Sequence, residues 1–103
     1  MDFLKMFKDA GKIQEQLKER QEELEAMTFE GQSGAGMVKV VANGKQEILR
    51  IVLEEGLVEK VGESMLPELI AGAVNEALKK ARENAKTGMM KVFEDLGLNP
   101  PNL

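Results

Sequence analysis

Apolar positions recur with a helical period at the two ends of this chain and with a strand period between them. Leu66, Leu69, Ile70, Ala73, Val74, Ala77, Leu78 and Ala81 keep the i, i+3, i+4, i+7 spacing that lines one side of an α-helix, and Ala85, Met89, Val92 and Leu96 continue the stripe more thinly. Ser64 stands where an N-cap would, Pro67 suits a first turn, and Gly97 followed by Pro100 and Pro101 ends the run. The pattern predicts one long helix over residues 64–96, roughly 45 Å from end to end at about 1.5 Å per residue.

Residues 1–27 read as a second helix with a heptad seam. Phe3, Ala10, Leu17 and Leu24 take one apolar slot, and Met6, Ile13 and Met27 take the other, with Arg20 in line between them. Two readings of the seam stand side by side: a stripe packed on the chain's own sheet, or an intermolecular seam. Gly11 costs this helix about 1 kcal/mol relative to Ala.

From Thr28 the period drops to 2. Gly34-Ala35-Gly36 and Asn43-Gly44 are turn signals, and Asn-Gly between apolar alternations predicts a two-residue hairpin loop. That loop sets Ala42 opposite Lys45, Val40 opposite Glu47, Val38 opposite Leu49 and Gly36 opposite Ile51. One face then gathers Val38, Val40, Ala42, Leu49, Ile51 and Leu53, and is expected to meet a helix. The other gathers Met37, Lys39, Val41, Gln46, Ile48, Arg50 and Val52, too apolar a set to face water. A strand over residues 28–33, with Phe29 inward, completes a three-stranded meander within residues 28–54. Residues 55–63 read as a connector with one helical turn at 57–61, and residues 97–103 as a loose tail. The expected fold is α+β over residues 1–103, one domain: long N-terminal helix, antiparallel β-meander, long C-terminal helix.

The lengths do not match. Strands of six to eight residues span roughly 20 to 27 Å at about 3.3 Å per residue, so the long helix overruns its sheet. Its first half can lie on the strands, where Gly72 and the alanines permit close approach. Met89, Val92, Phe93 and Leu96 overhang, while Val41, Ile48 and Val52 remain on the mixed face. Each such side chain gains about 1.5 to 3 kcal/mol on burial. These seven are therefore expected to form the contact of a homodimer, either intertwined or associated through sheet edges.

Composition narrows the chemistry. Of 103 residues, 43% are hydrophobic but only 4% aromatic, so the core must be aliphatic. The chain has no His and no Cys, which removes the commonest general base, the commonest metal ligand and the thiol nucleophile. Ser33 and Ser64 have no partner at motif spacing, Glu54-Glu55 reads as a solvated pair, and Gly34-Ala35-Gly36 joins strands instead of opening a helix as a phosphate loop would. No enzymatic activity, metal or cofactor is expected. Asn75 is the one polar residue beside the stripe whose placement looks specific. No apolar run is long enough to span a bilayer, so a cytoplasmic protein without a membrane partner is expected.

The net charge of −4 argues on its face against a nucleic-acid partner. Its distribution argues otherwise: residues 79–91 carry Lys79, Lys80, Arg82, Lys86 and Lys91 against Glu83, a local +4, whereas residues 15–63 hold eleven acids and six bases, a local −5. A second basic group, Lys5, Lys8 and Lys12, opens the first helix.

The order of these pieces resembles the YbaB/EbfC family of bacterial nucleoid-associated proteins. The matching residues are Gly34 and Gly36 before Val38-Lys39-Val40, Asn43-Gly44 at the hairpin, and Leu66 with Glu68-Leu69-Ile70 leading to Ala73, Asn75, Ala77 and Lys79-Lys80-Ala81. Pro67, where the family commonly has an acidic residue, and Gly11 depart from it. The resemblance implies a homodimer with protruding helices that binds double-stranded DNA and associates with the nucleoid; no catalytic residues come with it. DNA contact is then expected at Lys5, Lys8, Lys12, Lys79, Lys80, Arg82, Lys86 and Lys91, through phosphates and without base-specific readout. The rival reading is an adaptor whose acidic surface docks a protein of the replication or recombination machinery. A weaker third is a coiled-coil scaffold.

Overall fold

The period change at Thr28 marks the junction between the first helix and the sheet. In the computed structural model, which describes residues 3–98, the elements run α1 (Phe3–Ala26), β1 (Thr28–Ser33), β2 (Val38–Asn43), β3 (Ile48–Leu53), α2 (Leu57–Val61) and α3 (Met65–Asp95). The strands form one antiparallel sheet in the order β1-β2-β3. The fold class is as the periodicities predict; of the expected tail, the part beyond Leu98 lies outside the described residues.

Both ends of α3 show why it has these limits. Ser64 precedes the helix in helical geometry and makes no side-chain cap, contrary to expectation; the first turn is instead joined to Gly62, whose carbonyl accepts from the Leu66 amide at 3.2 Å. At the other end Gly97 adopts φ 71°, and the amides of Gly97 and Leu98 close onto the carbonyls of Glu94 and Phe93 at 3.0 and 2.8 Å. That pairing satisfies the last turn's carbonyls, and a left-handed residue favours glycine there.

The hairpin differs from its predicted register. Val38 pairs with Leu53, Val40 with Ile51 and Val41 with Arg50, four residues along from the two-residue-loop alignment. The cause is Asn43. Its Oδ1 accepts from the amides of Lys45 and Glu47 (2.9 and 3.1 Å), and its backbone closes a five-residue loop through Gln46 N–H to Asn43 O and Asn43 N–H to Glu47 O. Gln46, at φ 64°, takes the left-handed conformation, so Asn43-Gly44 is not the centre of a tight primed turn. A register shift between Val41 and Ala42 then brings Ile48, expected level with Val41 and Val52, opposite Ala42.

The core lies where α3 crosses β1 and β2. Val38, Val40, Ala42, Leu57, Ala73, Ala77 and Ala81 are its buried apolar residues, flanked by Leu66, Leu69, Ile70, Val74 and Leu78. Close approach comes from Gly31 in β1, not from Gly72: a Cβ at Gly31 would meet the backbone of Ala73 and Ala77, whereas one at Gly72 would find only Ser33 Cβ, 3.6 Å away. Ser33 Oγ donates to the Leu69 carbonyl at 2.5 Å and pins the end of β1 to the same helix.

The face expected to meet a helix is thus covered over β2 and bare over β3, all six residues of which are exposed. α1 buries no residue. It touches the body near its C-terminal end, where the Gly44 amide donates to the Glu25 carbonyl at 3.0 Å, Leu24 sits against Gly88, and Asn84 Nδ2 donates to Met27 Sδ at 3.6 Å. The molecule measures 72 × 23 × 16 Å with a radius of gyration of 19.8 Å, against about 13 Å for a compact domain of this length.

Candidate nucleic-acid interface

All eight basic residues singled out above are exposed, but the fold divides them. At about 100° per residue, Lys79, Arg82 and Lys86, spaced i, i+3, i+7, share the side of α3 opposite Ala73, Ala77 and Ala81. The alanines lie on the sheet, so this stripe faces away from it. Among the described residues none of the three forms an ion pair. Asn75 falls in line with the stripe and is exposed, neither capping a turn nor buried. It is the residue that the charge count alone passes over.

Lys80 and Lys91 point elsewhere. Lys80 Nζ is bound to Glu76 at 3.3 Å and donates to the Glu30 carbonyl of β1 at 2.8 Å, tying helix to strand. Lys91 lines a small cleft with Arg20, Glu23, Leu24, Met27 and Gly88, between the two long helices. So the +4 segment resolves into a three-residue outward stripe, one structural lysine and one lysine turned toward α1.

Lys5, Lys8 and Lys12 repeat the i, i+3, i+7 spacing on α1 but are far from the first stripe. The two helices run antiparallel, with Leu24 beside Gly88 and Arg20 ion-paired to Asp95. Counting about 1.5 Å per residue from that ion pair, Lys5 lies roughly 22 Å one way and Lys79 roughly 24 Å the other. One chain therefore presents two basic stripes roughly 46 Å apart along its long axis, one at the tip of α1 and one at the middle of α3, with acidic residues between.

The residues expected at a dimer contact are available for one. Met89 and Val52 are about half exposed (49% and 50%), and Ile48 and Leu96 retain more than a third of their surface. Val41, Val92 and Phe93 are half-buried. Val92 and Leu96 border a groove with Ile13 and Leu17 of α1, so the first helix shields part of the overhang within the same chain. Among the described residues no helix is long and apolar enough to cross a membrane, and no group of three or more acidic side chains is placed to hold a metal ion.

The sequence pattern of the YbaB/EbfC DNA-binding family matches residues 1–96. The chain belongs to that family. It is 43% identical over 98 residues to a nucleoid-associated protein of Caldanaerobacter subterraneus subsp. tengcongensis, covering 95% of this chain and 86% of the relative. A nucleoid-associated protein of Francisella philomiragia subsp. philomiragia is 37% identical over 102 residues, covering 98% and 91%. In three dimensions the YbaB/EbfC chain is similar to the crystal structure of an uncharacterized protein from Helicobacter pylori, with a TM-score of 0.70 at 25% identity over 94% of this chain and 99% of the other.

Proposed function

We propose that this YbaB/EbfC chain is a nucleoid-associated protein that binds double-stranded DNA as a homodimer, chiefly through phosphates. The observation that carries the reading is the outward stripe of Lys79, Arg82 and Lys86, exposed and without ion pairs among the described residues, on a chain of a DNA-binding family. Positive charge presented without a carboxylate partner suits a polyanion, and a phosphate contact releases counterions whatever the base sequence. The homodimer is supported by the bare β3 and the extended shape, since an exposed apolar edge strand invites pairing. Duplication gives each assembly two copies of each stripe, held a fixed distance apart. The chain then works in the cytoplasm, on the nucleoid, as a binding protein and not as an enzyme.

A gel shift with random duplex at low salt tests this. The wild type retards the duplex, and Lys79→Glu/Arg82→Glu/Lys86→Glu abolishes retardation while circular dichroism and particle size stay the same. Retardation that survives the triple change refutes the stripe.

The adaptor reading has one observation in its favour. The groove between α1 and α3 joins apolar Ile13, Leu17, Val92 and Leu96 to Glu19, Glu23 and the Arg20–Asp95 ion pair, a lining of net negative charge suited to a basic amphipathic helix. A protein of the replication or recombination machinery bearing such a helix would occupy it without displacing DNA from the stripe.

A further inference from the structure

We propose that the outer three turns of α1 dock on anionic lipid surfaces, with Phe3 and Phe7 among the acyl chains and Lys5, Lys8 and Lys12 among the head groups. Phe3 and Phe7 are each 75% exposed, the most exposed large apolar side chains among the described residues. Four positions apart, they lie one above the other on one side of the helix, with Met6 and Ala10 beside them. At about 100° per residue the three lysines fall within roughly 60° of one another and about 100° to 180° from the two phenylalanines. An apolar side opposed by a lysine side is the layout of a helix lying in a lipid interface.

Charge marks the same segment off from the rest of α1. Residues 3–12 carry Lys5, Lys8 and Lys12 against Asp9, a sum of +2, whereas residues 15–25 carry five Glu against Lys18 and Arg20, a sum of −3. The sign changes just past Gly11. The run of acids in residues 15–25 begins at Glu15, about 18 Å along the helix from Phe3 and about 4.5 Å from Lys12. At physiological salt, where the Debye length is about 8 Å, that run is screened from the outermost turn more than from Lys12. β3 runs from the hairpin away from α1, so the arm and β3 extend in opposite directions. A duplex would offer the lysines phosphates but leave the phenylalanines, on the other side, in water. A bilayer surface satisfies both sides. The expectation of no membrane partner came from the lack of a spanning run, and a helix lying on a surface needs none. Two such arms on a homodimer would bind one surface together, so weak single contacts add.

Co-sedimentation of the full chain with vesicles tests this, using phosphatidylglycerol mixed into phosphatidylcholine and phosphatidylcholine alone. The wild type is expected to favour the anionic vesicles by about tenfold, less at high salt, as polybasic amphipathic segments do. Phe3→Ser/Phe7→Ser is expected to lose that retention about tenfold, while Phe3→Leu/Phe7→Leu keeps it. Particle size and duplex retardation stay the same in both variants. Four results overturn the proposal: no preference for anionic vesicles, retention unchanged in the serine variant, a serine variant that falls to half the wild-type mass, or one that loses duplex binding. The third would make the tip a contact between copies, and the fourth a DNA contact. Failure with vesicles leaves the DNA reading intact, because the gel shift reads that separately.

Discussion

Gly31 in β1 lies directly against the backbone of Ala77 in α3, so close that a Cβ at Gly31 would sit 2.5 Å from the Ala77 amide nitrogen and nearer still to the Ala73 carbonyl oxygen. Neither atom can rotate away, so Gly31→Ala must separate strand from helix along the line where Val40 and Ala77 are fully buried. The expected cost is about 2 to 3 kcal/mol, the upper range for overpacking. Urea unfolding followed by circular dichroism measures it; an unshifted midpoint would contradict the close approach.

Two other glycines separate a rigid neighbour from a soft one. A Cβ at Gly44 would lie 2.7 Å from the Leu24 carbonyl carbon and 2.8 Å from Glu25 Cα, both backbone. Gly44→Ala should push α1 off the hairpin, and amide exchange should quicken in residues 20–27 while the sheet keeps its protection. At Gly88 the nearest atom is Leu24 Cδ1 at 2.8 Å, the far end of a flexible side chain, and an alanine there gains about 1 kcal/mol of helix propensity. Gly88→Ala is therefore expected to be within about 1 kcal/mol of wild type. Equal effects at the two sites would show that α1 is not held by the hairpin.

Val52 offers a way to break a dimer without breaking the chain. It is half exposed on β3 and stands opposite Lys39. A glutamate at 52 finds an opposite charge across the strand pair, a favourable contact of about 0.2 to 1 kcal/mol. It also places a charge on the apolar edge that a second copy would cover. Val52→Glu should yield a folded single copy of 11.4 kDa in sedimentation. A variant that remains double that mass excludes this face from the contact.

The lysines divide by what they already hold. Lys79→Ala should weaken duplex binding and flatten the salt dependence, by about 0.9 in the log–log slope for each phosphate no longer neutralised, or about 1.8 with both copies changed. Lys80 is engaged by Glu76 and the Glu30 carbonyl, so Lys80→Ala should change that slope less. A larger drop at Lys80 than at Lys79 would reverse the assignment.

Element types were legible because the periodicities are long and clean; the heptad of α1 and the stripe of α3 each cover several turns. The hairpin register was not. Asn43-Gly44 is the strongest hairpin signal in the chain, but whether Asn43 turns the backbone or uses its side chain to organise a wider loop is settled by the αL conformation at Gln46, a residue type with no special claim to it. Gly31 was also invisible. Within TFEGQS it reads as one weak strand position, and its purpose emerges only once Ala73 and Ala77 lie across it. The basic positions were readable as a count but not as directions. Lys79 and Lys80 are neighbours in sequence, yet one faces outward and the other clamps a strand.

Among the described residues the buried set contains nothing larger than Leu57, and four of its seven members are alanines, Ala42 in β2 and Ala73, Ala77 and Ala81 in α3. A nucleus that small leaves an isolated copy little margin against heat, and in the proposed homodimer association would supply the rest. Melting temperature should then climb with protein concentration, as mass action demands of any fold completed by its own twin. Cellular abundance would set how much of the chain survives proteolysis, making supply itself a control on the amount of working protein.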